Sequence, residues 1–429
     1  MTHLGLPASV GTEYRGRKLT SFRAAALRAN RGVPALAPAE ARDRWIRRRV
    51  AMVWGLLILN ALTFYPGYTL VLPIPHRIGQ LITQGSLFLA LFVALTANRR
   101  VVIRPNVFLC LVSLLVIEAF MLLAIGQTIG TIYRTFRLAE FVTALWLISP
   151  WWGRRDLLLL RYHLTALLVV LGSVLVGLML RPNAAMAEGR LSGVFWPIPS
   201  TEVAHYAAVA TGLVVVLWFG GLLRGRATLF VVVVAVTMLV LTHTRTALIG
   251  MVTGILVAGL SLIVVKARVR RFFATAVVVV SIGLAMAAGV VTTWLARGQN
   301  SHELVSLTGR TDFWSLVLNL PRDRFQVIFG FGLSNGSVNG LPIDSNWLVA
   351  YMQQGLFGVI VCVTMLLFLL VNSFFQPPGI KRALALFLTS YAIVASVTEV
   401  GFTDATIYLL ELTVAASLLV PSVVGRRQE

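Results

Sequence analysis

Arg245 stands in LTHTRTAL (241–248), a turn of only a few residues between two apolar stretches. A guanidinium keeps its charge at any working pH and takes phosphate oxygens two at a time. Next to a hydrocarbon core that charge is costly without an anionic partner. Two readings stay open. Arg245 snorkels to lipid headgroups, or it joins other arginines around a diphosphate. Asp344 is the second residue of interest. It opens DSNWLVAYMQQGLFGV (344–359), where helical spacing puts Asp344, Trp347, Tyr351, Gly355 and Gly358 on one face. Asp favours helix N-caps. A carboxylate beside a phosphate clamp also suits a general base toward a sugar hydroxyl. Glu118 and Glu411 fall well inside apolar stretches, with Glu140 and Glu399 nearer their ends. Such acids pair with an arginine to hold helices together, or relay protons in a transporter.

The elements that carry these residues emerge from composition. Of 429 residues, 58% are hydrophobic and 12% charged, against roughly 25% charged in soluble domains. Apolar runs of about 20 residues recur, each long enough to cross a bilayer. They are continuous rather than alternating, which predicts helices. Spans are expected at 50–68, 78–98, 106–126, 135–152, 157–180, 202–221, 227–243, 247–265, 272–295, 345–373, 383–400 and 406–424. The expectation is an all-α integral membrane protein of about twelve transmembrane helices. Residues 1–49 form a basic cytoplasmic tail and 50–429 a polytopic domain, both termini lie in the cytoplasm, and long outer loops cover 181–201 and 296–344. Within the second loop, 311–320 reads as a short amphipathic surface helix, and FGFGLSNGSVNG (329–340) as a mobile stretch.

The net charge of +21 does not predict a nucleic-acid partner. Its arginines and lysines sit in short clusters between alternate spans: Arg99, Arg100 and Arg104; Arg154 and Arg155; Arg224 and Arg226; Lys266, Arg268, Arg270 and Arg271; Lys381 and Arg382; Arg426 and Arg427. That is the positive-inside pattern. It leaves Arg134, Arg137, Arg181, Arg190, Arg245, Arg297, Arg310, Arg322 and Arg324 on the outer side, where the pattern predicts few cations. Cys110 and Cys362 both lie in apolar runs, so neither a disulfide nor a metal site is expected. The GxG at Gly330 and Gly332 has no strand before it, which argues against a dinucleotide site.

Four passages in order resemble the O-antigen ligase and polymerase superfamily of bacterial membrane glycan transferases. GRLSGVFWPIPSTEVAHYAA (189–208) is similar to the family's Arg-x-x-Gly…Pro outer loop. THTRTALIG (242–250) is similar to its Ser-Arg-Thr-Ala turn. TGRTDFW (308–314) with the later FGFG is similar to its Gly-Arg…Trp segment. DSNWLVAYMQQGLFG (344–358) is similar to its His-led pattern, with Asp344 in the His place. The resemblance covers spans five to ten. It implies transfer of a glycan from an undecaprenyl-diphosphate-linked oligosaccharide to a glycan or lipid-glycan acceptor. It also implies that no metal or other cofactor takes part, and that the site lies on the outer face of the bacterial inner membrane. By position it assigns Arg190, Arg245 and Arg310 to the donor diphosphate and Asp344 to the base. His243 and His205 are substitute bases, and Phe195, Trp196 and Trp314 are sugar-stacking candidates. The rival expectations are a twelve-helix secondary transporter or flippase for envelope glycans, and a non-catalytic assembly partner.

Overall fold

The computed structural model describes residues 38–124, 128–154, 156–296, 310–334, 337–338 and 341–421. Two units divide the chain at 49/50. Of the first, residues 38–49 are described, including the Arg47–Asp43 pair one helical turn apart. Most of the expected basic tail, Arg155, Arg297, Arg426 and Arg427 lie outside the described residues.

Twelve long helices occur among the described residues, each overlapping an expected apolar stretch, although the first begins at Pro38, inside the residues expected as tail, and ends at Ala61 rather than 68. They are α1 (Pro38–Ala61), α2 (His76–Ala97), α3 (Val107–Leu123), α4 (Ile129–Ile148), α5 (Leu158–Leu180) and α6 (Ser200–Phe219). The others are α7 (Gly225–Leu241), α8 (Arg245–Leu262), α9 (Ala267–Ala296), α10 (Asn346–Phe375), α11 (Ile380–Ala395) and α12 (Ile407–Leu419). Short helices Pro182–Ala185, Arg310–Leu318 and Arg324–Phe329, 3-10 turns at Ser149–Trp151 and Ala187–Gly189, and a two-residue strand pair at Ser337–Val338 and Leu341–Pro342 complete the described elements. Five helices (α2, α5, α6, α8 and α10) are long and apolar enough to cross a membrane. α3, α7 and α12 are apolar but shorter. The chain is an α-helical protein with the character of a membrane-embedded one.

The packing has a centre. In α6, 83% of the apolar window is buried, more than in any other long apolar helix. α8 packs along α11, and both pack on α6. Phe387 of α11 wedges between Gly212 of α6 and Gly254 of α8, and a Cβ on Gly212 would overlap its ring. Small residues let helices close on an aromatic where hydrophobic exclusion gives little drive.

α10 is two helical segments. Gly355 interrupts it with φ 60° and ψ −158°, a conformation open to glycine and strained for other residues. The break exposes carbonyls that the FGFG passage satisfies: Phe331 N–H donates to Met352 O at 2.9 Å and Gly332 N–H to Gln353 O at 2.9 Å. Gln353 Nε2 in turn donates to Ser334 O at 2.8 Å. This part of the passage is therefore docked, against the expectation of mobility, because its amides complete a broken helix. The expected straight stripe through Gly355 and Gly358 is corrected as well. Gly355 receives the backbone of Ile328 and Phe329 from the short helix Arg324–Phe329, a close approach of another helix, whereas Gly358 faces its own neighbour Gln354.

Candidate functional site

A polar recess lies where α1 ends and α2, α4 and α10 begin. It has a volume of about 630 Å³, within the usual range of small-molecule sites. Its wall includes Asp344 and Asp404, Arg134 and Arg137, and the amides Gln80, Gln84 and Gln353.

Each group is positioned by a local cause. Ser345, not Asp344, is the N-cap of α10. Asp344 therefore stands one residue outside the helix, half-buried on the cavity wall, and the capping reading of it is set aside. Asn346, two residues on, anchors this end of the helix. Its N–H donates to Ser396 O at 3.1 Å, and its side-chain oxygen accepts the N–H groups of Gly401 (3.1 Å) and Phe402 (2.8 Å). The α11–α12 connection is thereby tied to the start of α10 and brings Asp404 to the same recess.

Asp404 is held between two arginines one turn apart on α4. Arg134 Nη1 lies 3.4 Å from Oδ2 and Arg137 Nη1 3.4 Å from Oδ1. The two cations differ. Arg137, 13% exposed, also donates to Asn60 Oδ1 (3.2 Å), Asn60 O (3.2 Å) and Ala405 O (2.8 Å). Its donors are spent on joining α1, α4 and the α11–α12 connection. Arg134, 29% exposed, also lines the recess, and its one hydrogen bond among the described residues is to Asp404.

Tyr65, also on the wall, donates to Glu202 Oε1 at 3.1 Å, and Tyr206 donates to Oε2 at 2.9 Å. The Glu202 carboxylate beside it pushes the Tyr65 pKa well above its ordinary value, so the phenol stays a donor.

The other expected site residues form a second group. Arg190 Nε donates to Thr242 O at 3.0 Å and its Nη2 to Thr244 Oγ1 at 3.3 Å. Thr244 is the N-cap of α8 and Arg245 its first residue. Arg190, His243 and Arg245 thus gather at one turn, where His243 takes a left-handed φ of 53°. This turn meets the loop of the recess through Thr398 Oγ1, which donates to Thr246 Oγ1 at 2.7 Å. Neither Arg190 nor Arg245 lines the recess itself. Arg310 begins the short helix Arg310–Leu318, and its side chain lies outside the described residues.

The remaining candidates are placed elsewhere. His205 is buried on α6, with Nε2 2.8 Å from Glu411 Oε1 and Nδ1 2.9 Å from the Tyr391 hydroxyl. His163 Nε2 lies 3.7 Å from the same carboxylate oxygen. Glu411 therefore pairs with histidines, not with an arginine, and His205 does not line the recess. Glu118 is 2% exposed and neither carboxylate oxygen has a hydrogen-bond partner among the described residues. Trp196 Nε1 donates to Leu62 O at 2.9 Å and its ring meets Phe64 edge-on at 4.9 Å, behind the wall. Trp314 packs on Val317, Ile343, Leu348 and Val349.

Asp404, Asn60, Gln353 and Tyr65 are site residues that sequence reasoning missed. Asp404 carried one usable signal: a lone acid in a short connection at the same end as two arginines that topology leaves unexplained. No protein-family model matches the chain, and no curated protein matches it either.

Proposed function

We propose that this chain is a membrane glycan transferase, with its recess on the outer face of a bacterial inner membrane and both termini in the cytoplasm. The observation that carries the reading is Asp344 on the wall of a polar recess shared with two arginines and four side-chain amides, Asn60, Gln80, Gln84 and Gln353. Carboxylates and amides bind sugar hydroxyls, and arginines bind phosphate. The order of the four family-like passages supports the same reading, as does the alternation of basic clusters between the helices.

The acceptor glycan lies in the recess, with one hydroxyl against Asp344. The donor's diphosphate lies toward the α8 turn, held by Arg190 and Arg245 with Arg310 from the outer loop. The acceptor oxygen attacks the anomeric carbon as the carbon–oxygen bond to the diphosphate breaks. The hydroxyl proton passes to Asp344, and the leaving lipid diphosphate takes the electron pair and is stabilised by the arginines. Ligation to a lipid acceptor and polymerisation of a repeat unit use this same chemistry.

The test is to replace Arg245 or Asp344 by Ala and track lipid-linked repeat units and finished polymer in cells. Accumulated lipid-linked units with lost polymer are expected. Wild-type polymer in both variants at normal protein level refutes the mechanism. The buried His163–Glu411–His205 group favours a second reading, a proton-coupled transporter or flippase. That reading predicts that glycan fails to reach the outer leaflet when Glu411 is changed, whereas the transferase reading predicts that it arrives and is not joined.

A further inference from the structure

At the far end of α10 from Asp344, a second recess of about 530 Å³ opens between the ends of α8 and α10 and the start of α11. Its lining is apolar (Leu260, Leu370, Phe374 and Leu386 among others) except for Ser261, whose hydroxyl donates to Ala258 O, and the one charged residue, Arg382. The Arg382 guanidinium lies over the Phe374 ring, 5.3 Å from its centroid, and Nη1 donates to Gln376 O at 3.4 Å. Nε is buried and has no hydrogen-bond partner among the described residues. The stacked ring and the carbonyl hold the cation at the mouth of an apolar slot with donor capacity left over. No acidic residue lines the slot. Lys381 adjoins Arg382 in sequence, and Lys266, Arg268 and Arg270 come just after the end of α8.

We infer that this slot is a binding site for one anionic phospholipid, its acyl chain along Leu260 and Leu370 and its phosphate on Arg382. The apolar length selects a lipid over a soluble anion. The surrounding positive charge selects an anionic headgroup over a zwitterionic one, because each basic residue near a headgroup contributes about 1 kcal/mol. Phe374 and Phe375 are 60% and 79% exposed at the same place, which fits a surface covered by a chain rather than by protein. The inference does not depend on the reaction at the other end of α10.

Native mass spectrometry of the full chain in detergent, titrated with phosphatidylglycerol and with phosphatidylcholine, tests it. The wild type is expected to retain one phosphatidylglycerol in preference to phosphatidylcholine. Arg382→Gln is expected to weaken phosphatidylglycerol about fivefold and leave phosphatidylcholine nearly unchanged. Leu370→Trp, which fills the slot, is expected to lose the retained lipid of either kind. Inorganic phosphate is expected not to displace the lipid. Wild-type retention in both variants overturns the site, and displacement by inorganic phosphate overturns the lipid assignment. Should Arg382→Gln unfold, Leu370→Trp alone decides between the outcomes.

Discussion

Gly330 packs on the backbone of Gln353, two residues before Gly355, and Gly355 packs on the backbone of Ile328, two residues before Gly330. A Cβ on Gly330 would overlap the carbonyl group of Gln353, and a Cβ on Gly355 would overlap that of Ile328. Both have φ in the left-handed region, 77° and 60°. The contact docks the segment 324–334 on the broken helix whose first segment lines the recess. Gly355→Ala and Gly330→Ala are each expected to destabilise by about 2–3 kcal/mol or more, from strain and overlap together. Thermal unfolding in detergent checks this. Wild-type melting in both variants removes the interlock.

Arg134 and Arg137 share a carboxylate but are expected to fail differently. Arg137→Ala leaves Asp404 with Arg134 alone and removes the donors to Asn60 Oδ1, Asn60 O and Ala405 O, at a cost of about 3 kcal/mol, and is expected to lower the melting temperature and the protein level. Arg134→Ala leaves Asp404 paired with Arg137. It is expected to keep near-wild-type stability, within about 1 kcal/mol, while weakening acceptor use. Equal melting of the two variants contradicts this division.

These two contrasts mark what was legible in the sequence. Helix positions were legible because continuous apolar runs and alternating basic clusters are properties of neighbouring residues. Asp344 was legible as a candidate by its place at the start of an apolar run. The grouping of the charged residues that share its recess was not. Asp404 is 60 residues from Asp344, and Arg134 and Arg137 are about 270 residues from Asp404. Only the tertiary fold joins them. The break at Gly355 was also hidden, because QQGLFG is compatible with an unbroken span until the loop that caps it is known. The Glu411 partners were misjudged for a similar reason: arginine was the expected counter-ion, and the fold supplied His163 and His205 from α5 and α6.

The Glu411–His205 pair sets a stability prediction. Removing one partner leaves the other buried, so Glu411→Leu and His205→Leu are each expected to cost about 3–5 kcal/mol. Replacing both by leucine is expected to recover most of that loss. Denaturation of the double variant is the check. A double variant as unstable as the sum of the two singles shows that the pair is not the unit that matters.

Glu118 predicts the opposite sign. A buried carboxyl lacking a hydrogen bond costs free energy that an apolar side chain of similar size does not. Glu118→Leu is expected to raise stability by about 1–3 kcal/mol. A lower melting temperature in this variant would indicate that the carboxyl has a bound partner in the membrane.

Glycan joining by purified protein tests the central claim most directly. Full-length protein is reconstituted in liposomes with lipid-diphosphate-linked repeat units and acceptor, and product is resolved by gel or mass spectrometry. Asp344→Asn keeps the shape of the recess wall and removes the base. The account predicts product from the wild type and a drop of about 10²-fold or more in Asp344→Asn, with unchanged melting. Product at the wild-type rate from Asp344→Asn, or none from folded wild type given its donor, contradicts it.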